Sequence, residues 1–386
     1  MPTISEKSRR IIVGLLLVTL ATAAYVLRVH EDLHDYEVDY RAGQRLLIGD
    51  DLYQVDDGHY KYKYLPGAAV LESPLSLMPW SVAKVVFYAL NIIVMFSMLG
   101  LAFRLLPDKM LKPRWLMPVT FLILAKYFAR EIDLGQINML ISVLLLLMMG
   151  LLIKAQHTES EKTELYAGVF WGMASTLKPY GLIFLPYFLL TGKWRALAGG
   201  IATIAVLAAA PALFYGIDGN IAQHQDWIAS LAASDPEQLI NPNNTSMIGF
   251  FVRTTGDLQL SMWLFGLSIA IFAILIFIVV RKGRSQENAV VLDGAILMTL
   301  IPLISPLGWD YVLLMSAPGV MLLLQHRHSF GNVARWVLIG NFAIICFFIT
   351  DVVGHTAHEF YTDWTLTTIN FLVVTGFLVA LRFKGV

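Results

Sequence analysis

The sequence predicts an all-α polytopic membrane protein, and three observations predict it. Of the 386 residues, 57% are hydrophobic and only 15% are charged, whereas a soluble domain devotes about 25% to charged side chains. Apolar runs divided by short polar links fill nearly the whole chain, and about 20 helical residues cross a hydrocarbon core about 30 Å thick. The runs lack the period-two alternation of a membrane barrel. Buried backbone amides leave no third way of spanning lipid.

Twelve runs can be delimited, at 12–28, 82–105, 115–129, 137–153, 165–177, 179–191, 196–215, 258–280, 288–304, 309–325, 332–350 and 364–382. Several are too short for a full span. Runs 165–177 and 179–191 meet at Lys178-Pro179, where proline removes a helical N–H and frees a carbonyl that protein or water must satisfy. A paired, partly re-entrant hairpin is expected there. The expectation is one integral domain over residues 1–386, a bundle of about ten to twelve spanning or re-entrant helices, with 29–80 as the first outer loop.

Orientation follows from Lys and Arg in short loops, which favour the cytoplasm. With Lys7, Arg9 and Arg10 inside, alternate loops add Arg104, Lys109, Lys112, Arg114, Lys154, Lys162, Lys193, Arg195, Arg281, Lys282, Arg284, Arg327, Arg335, Arg382 and Lys384. Eighteen of the 28 basic residues then share one side. An even number of crossings returns the C-terminus to that side, so both termini are expected in the cytoplasm of a multi-pass inner-membrane protein. The first run also reads as a cleaved signal peptide, with a basic flank, an apolar centre and Ala-x-Ala. Either way loop 29–80 emerges outside. The zero net charge offers no electrostatic footprint for nucleic acid. The single cysteine, Cys346, has no internal disulfide partner.

The cytoplasmic links read as solvated turns, and the outer face collects what is chemically unusual. Asp35 lies a few residues after the first run, beside His34 and Tyr36, near the headgroup boundary where low dielectric makes a carboxylate more basic. It suits a general base that removes a proton from an acceptor hydroxyl. It reads equally as a helix cap or as the ion-pair partner of Arg41 or Arg45. Glu31, Asp32, Glu37 and Asp39 read as weaker candidates, several of them solvated.

The stretch from Asp39 to Leu52 has helical spacing that stops at Gly49, an expected terminator, and predicts a short amphipathic helix on the membrane. Its Arg41 and Arg45 suit either a phosphate clamp or lipid headgroups. In YKYKYLPGAAVLESPLSLMPW, Tyr60, Tyr62, Tyr64, Lys61 and Lys63 form an aromatic and basic belt, an interface anchor or the wall of a cleft. Arg130, Glu131, Asp133, Gln136 and Asn138 gather at the outer ends of two runs, where ionisable residues are functional candidates unless they pair internally. Lys178, at a hairpin tip, suits an anionic phosphate or simply snorkels. NPNNTSMIGFFVR reads as a helix start in which Asn244, Thr245 or Ser246 caps amides suited to an anion. SPLGWDYVLL sets Trp309, Asp310 and Tyr311 at the outer start of another helix.

In this order the motifs resemble glycosyltransferase family 87, the polyprenol-phosphate-mannose-dependent mannosyltransferase-like proteins also labelled DUF2029. HDYEVDYRAGQRLLIGDDLY resembles the family's Asp-aromatic-x-Val-x-Tyr-x-Ala-Gly segment. KYLPGAAVLESPLSLMP, LGQINMLISVLLLL, STLKPYGLIFLPYFLLTGKWRA, NPNNTSMIGFF and SPLGWDYVLLM follow in the family's order. The resemblance implies a GT-C type bundle, a polyprenyl-phosphate sugar donor and a glycolipid or glycan hydroxyl as acceptor among the membrane lipids. It further implies extracytoplasmic transfer of a hexose, mannose at family level, with no metal and no cofactor. Asp35 falls at the family's proposed base and Lys178 in its Leu-Lys-Pro segment. The chain departs where family members often carry histidines after Ser-Pro-x-x-Trp, having Asp310, Tyr311 and Val312 instead. His355 or His358 can take that place only if the fold brings their loop over.

A polyprenyl phosphate is already a good leaving group, so cations and one base suffice, and inversion is expected. Two other classes stay open. A transporter or flippase of lipid-linked sugar would gather polar groups near mid-bilayer on repeated, broken helices, and a ligase or polymerase would use a whole lipid-linked glycan at the same kind of site.

Overall fold

A computed structural model describes residues 19–54, 57, 61–107, 112–232, 237–282 and 289–385. Lys7, Arg9, Arg10, Tyr60, Lys109, Arg284 and the start of the first run lie outside these residues. Among the described residues the regular structure is α-helical, with short 3-10 and π-helical turns, connecting loops and one bridge between Asn244 and Trp309.

Helix α1 (Thr19–Val29) ends in a π-helical turn and leads to α2 (His34–Ile48) and α3 (Pro66–Ser76). The first half of the bundle follows as α4 (Trp80–Leu105), α5 (Leu116–Leu134), α6 (Asn138–Thr158) and α7 (Glu161–Leu177). A 3-10 turn, Pro179–Ile183, then starts α8 (Phe184–Thr191), so the break expected at Lys178-Pro179 is present. Helices α9 (Trp194–Ala209) and α10 (Ala212–Ala232) meet at 93°. The expected run 196–215 therefore turns around Pro211. Short α11 (Glu237–Ile240) and α12 (Met247–Thr255) precede α13 (Leu258–Lys282) and α14 (Ala289–Ile304). A 3-10 segment, Asp310–Ser316, starts α15 (Ala317–Gln325), and α16 (Asn332–Phe347), α17 (Thr350–Val353), α18 (His355–Asp363) and α19 (Leu366–Phe383) complete the chain.

Helices α4, α6, α13 and α19 are long and apolar enough to cross a membrane. Together with the shorter apolar helices they make an all-α polytopic membrane protein. A helix apolar on every side belongs in the middle of such a bundle, and α14 is buried at every position from Ala289 to Leu303. Its single acid, Asp293, is bonded by Arg382 of α19 at 2.7 and 3.3 Å. Arg382, counted above among the topological charges, is thus buried in an ion pair. Helix α13 instead exposes Trp263, Leu267, Ile271 and Ile274, as a lipid-facing edge does. Helices α7 and α9 approach so closely that a Cβ on Gly168 would stand 2.0 Å from the Ala196 carbonyl. Small residues four apart permit this backbone contact.

Helix α2 begins earlier than the Asp39 expected and packs on protein. Tyr36, Asp39, Tyr40, Gly43 and Leu46 form its buried stripe. The Tyr36 ring stacks on Phe87 at 3.8 Å, the Tyr40 hydroxyl donates to Met78 O at 2.8 Å, and Ser76 Oγ donates to Tyr40 O at 2.9 Å. Gly49, with φ of 73°, ends the helix as expected. Helix α10 braces the loop beyond it, with Gln223 accepting from Leu52 N at 3.0 Å and Trp227 donating to Lys63 O at 3.0 Å.

Candidate active site

The site is assembled where α2 meets the turn between α5 and α6. Helix α5 stops at Gly135, whose φ is 75° and where a Cβ would lie 2.7 Å from Tyr36 Cβ. Glycine alone combines that backbone with so close an approach. Leu33, buried at φ 61°, donates its N–H to Asp133 O at 2.8 Å and pins the start of α2 to the end of α5. A left-handed leucine stores of order 1–3 kcal/mol of backbone strain. Its consequence is the placement of Asp35 two residues on.

Gln136 follows Gly135 and faces two ways. Its Nε2 donates to Asp35 Oδ2 at 2.5 Å, and its Oε1 accepts from Lys178 Nζ. Lys178 comes from the break after α7, where extended backbone before Pro179 halts the helix. Only 5% exposed, it also donates to Asn138 Oδ1 at 3.1 Å, with the Tyr64 and Tyr180 rings 5.2 and 5.8 Å from its ammonium. Ring faces and amide oxygens both stabilise a desolvated cation. Glu131 accepts from Asn138 Nδ2 at 2.8 Å and Met139 N at 3.0 Å. It thereby satisfies amides that the start of α6 leaves unbonded.

Arg130 does not pair with Glu131 or Asp133, the neighbours considered from sequence. It reaches Asp310 at 2.9 Å, and its guanidinium lies 6.0 Å from the Tyr311 ring. Asp133 is taken by Arg28 at 2.8 Å. The 3-10 segment that carries Asp310 and Tyr311 packs on α5 and α6, so the Arg130–Asp310 pair lies beside the helices whose turn bears Gln136. Asn244 is structural in its contacts: its Oδ1 accepts from Ser246 N and Gly308 N, both at 3.1 Å, and its Nδ2 donates to Pro306 O at 3.2 Å. The cap of α12 is Ser246. The same clamp includes the Asn244–Trp309 bridge and a 2.9 Å bond from Asp310 N to Asn243 O, and so fixes Asp310.

Other candidates stand apart. Arg41 pairs with Glu37 at 2.5 Å on the exposed face of α2. Arg45 grips Asp57 with two bonds of 2.5 and 2.6 Å. Neither arginine is bonded to Asp35. His355 is exposed and pairs with Glu359 at 3.1 Å. His358 lies on the same short helix, α18, where burial, then the Lys126 charge, pushes it below the ordinary histidine range.

Two residues, Glu72 and Lys126, were missed by the sequence reading, and a third, Asp39, was placed among the weaker candidates. Asp39, set among the solvated acids, is 5% exposed on the face of α2 that carries Asp35 one turn earlier. Glu72 of α3 accepts from the Tyr62 hydroxyl at 3.0 Å. Burial, and after it the charge of Glu72, raises Asp39 well above the usual carboxylate range, and burial pushes Glu72 up to about 8. The i, i+4 spacing of Asp35 and Asp39 was the available signal, and it needed the true start of α2. Lys126, one turn before Arg130, donates to Phe348 O at 3.2 Å between the Tyr127 and Tyr361 rings. Phe348 also lines an open apolar groove of about 570 Å³, with Val353, Phe360 and Leu366.

The family model of glycosyltransferase family 87 matches residues 62–306. The chain belongs to glycosyltransferase family 87. The family 87 match takes in Tyr64, the Arg130–Asn138 turn, Lys178 and Asn244, and leaves Asp35 and Asp310 outside it. A search of curated proteins returns no match. Among solved structures the chain is similar to ArnT from Cupriavidus metallidurans in the apo state, with a TM-score of 0.39 and 12% identity over 96% of this chain and 77% of that one. Family membership and the apolar helices together make this family 87 chain a membrane glycosyltransferase.

Proposed function

We propose that this glycosyltransferase moves a hexose, mannose by family resemblance, from a polyprenyl-phosphate sugar to a lipid or glycan hydroxyl. Transfer occurs with inversion and without metal, at the extracytoplasmic end of the bundle, where α2 and α3 lie. The observation that carries the reading is the single amide of Gln136 joining Asp35 to Lys178. It holds one base and one cation side by side at the meeting of α2, the α5–α6 turn and the α7–α8 break.

The chemistry needs both. As the anomeric C–O bond breaks, its electron pair goes to the phosphate oxygen, and a preorganised ammonium such as Lys178 stabilises that growing charge. The acceptor oxygen forms the new bond to the anomeric carbon, and its proton passes to Asp35 as general base. Attack opposite the leaving phosphate inverts the centre. One carboxylate suffices, unlike the two-carboxylate arrangement of glycosidases. The apolar groove beside Lys126 offers a path for an isoprenoid chain. The inside bias of the basic residues supports the outward orientation.

The test is transfer by the purified protein, reconstituted with labelled polyprenyl-phosphate mannose or glucose and a membrane lipid extract. Label from one donor is expected in a lipid or glycan product, with loss in Asp35→Asn and Lys178→Met. Passage of lipid-linked sugar across vesicles without transfer would instead favour the transporter reading.

A further inference from the structure

The charges of four acids, Glu131, Asp39, Asp35 and Glu72, bear on the Lys178 ammonium. Two of them are satisfied within the chain: Glu131 by Asn138 and Met139, and Asp35 by Gln136. The other two are not. Asp39 is 5% exposed and its Oδ1 has no hydrogen-bond partner, while Glu72 spends Oε2 on the Tyr62 hydroxyl and leaves a buried Oε1 unpartnered. Buried polar atoms are almost always bonded, and exceptions in a site call for a ligand or a functional reason.

We infer that Asp39 and Glu72 receive hydroxyl groups of the transferred sugar, beside the Asp35–Gln136–Lys178 link; this rests on the function proposed above. A buried carboxyl oxygen accepts, and a carboxyl that carries its proton also donates, so the ligand must offer both donors and acceptors. A phosphate is drawn to the Lys178 ammonium and offers mainly acceptors, and a hydrocarbon chain offers neither. A hexose ring is dense in hydroxyls and must lie between base and leaving phosphate. Tyr62, packed edge-on to Tyr64 at 5.5 Å and beside Tyr53 at 5.8 Å, holds Glu72 in place through its hydroxyl. Burial favours the protonated form of both acids, and a protonated carboxyl donates as well as accepts, which suits a hydroxyl. Lys178 then serves phosphate, Asp35 the acceptor, and Asp39 with Glu72 selects the sugar.

The experiment compares donors that differ by one hydroxyl. Transfer rates are measured for the wild type, Asp39→Leu and Glu72→Met with the parent donor and with each monodeoxy sugar on the same polyprenyl phosphate, alongside binding of polyprenyl phosphate alone. Each variant is expected to lose about 100-fold in kcat/KM with the parent donor. With the donor lacking the contacted hydroxyl, wild type and variant should converge to within a few-fold, and sugar-free polyprenyl phosphate should bind all three equally. Equal losses with every deoxy donor, or lost binding of polyprenyl phosphate, would make the two acids braces for Lys178 and overturn the inference. If a variant fails to fold, the wild type decides: no deoxy donor slower by more than about threefold would also overturn it. Absence of transfer from any hexose donor would sink the proposed function itself, whereas transfer with hydroxyl-independent losses sinks only the sugar site.

Discussion

Gln136 donates to Asp35 at 2.5 Å across 101 residues of chain, and its carbonyl end accepts from Lys178. One side chain therefore sets the distance between the proposed base and the proposed phosphate cation. Gln136→Leu removes both bonds at similar volume. Because a displacement of about 1 Å costs about 100-fold in an ordered site, kcat should fall by that order with a smaller change in donor KM. Steady-state kinetics of transfer check this. An unchanged kcat would show that Gln136 does not position the pair.

Gly135 lets the turn bearing Gln136 touch α2. Gly135→Ala adds a Cβ 2.7 Å from Tyr36 Cβ on backbone with φ of 75°. Strain and overpacking together should destabilise by about 2–4 kcal/mol. Thermal unfolding in detergent measures the loss, and transfer should fall further than stability alone explains.

Glu72 makes stability depend on pH in a defined sense. Its folded form holds the proton up to about 8, because burial outweighs the Tyr62 bond and the Lys178 charge, against an ordinary value of 4.5. The folded state therefore binds more protons than the unfolded chain between these values. Its contribution is fully present below about 4.5 and is lost as pH rises through about 8. Asp39 acts in the same direction. Melting temperature should decline from pH 5 toward pH 8, and Glu72→Gln should flatten the decline.

Arg382 and Asp293 form a buried pair remote from the site. Arg382→Met leaves the Asp293 carboxylate buried without it and should cost about 3–5 kcal/mol, while Arg382→Met combined with Asp293→Leu should recover most of the loss. Unfolding of the two variants tests this.

The helical bundle was legible in the sequence because apolar content and punctuation act locally. Pro179 broke the hairpin where expected, and Gly49 ended α2. The turn around Pro211 escaped because hydropathy continues through run 196–215 while the direction changes. The candidate site was legible in part: Asp35, Gln136 and Lys178 lie together, Arg41, Arg45 and His355 are paired elsewhere, and the partners were not legible. Arg130 offered two nearby acids and chose Asp310, 180 residues away, because the clamp at Asn244 brings that segment back. Asp39 looked solvated among many acids, and only the helix start at His34 turns it inward. Gln136 was named only as one of five polar residues around its turn, yet its amide, with one donor end and one acceptor end, is what suits it to link an acid to a cation.

The most direct measurement is transfer from labelled polyprenyl-phosphate mannose by wild type and Asp35→Asn, each reconstituted and shown by thermal unfolding to be folded. Asparagine keeps the shape and cannot take the acceptor proton, so the account predicts a fall in kcat of at least about 100-fold with donor binding retained. A folded Asp35→Asn that transfers sugar at the wild-type rate would contradict it.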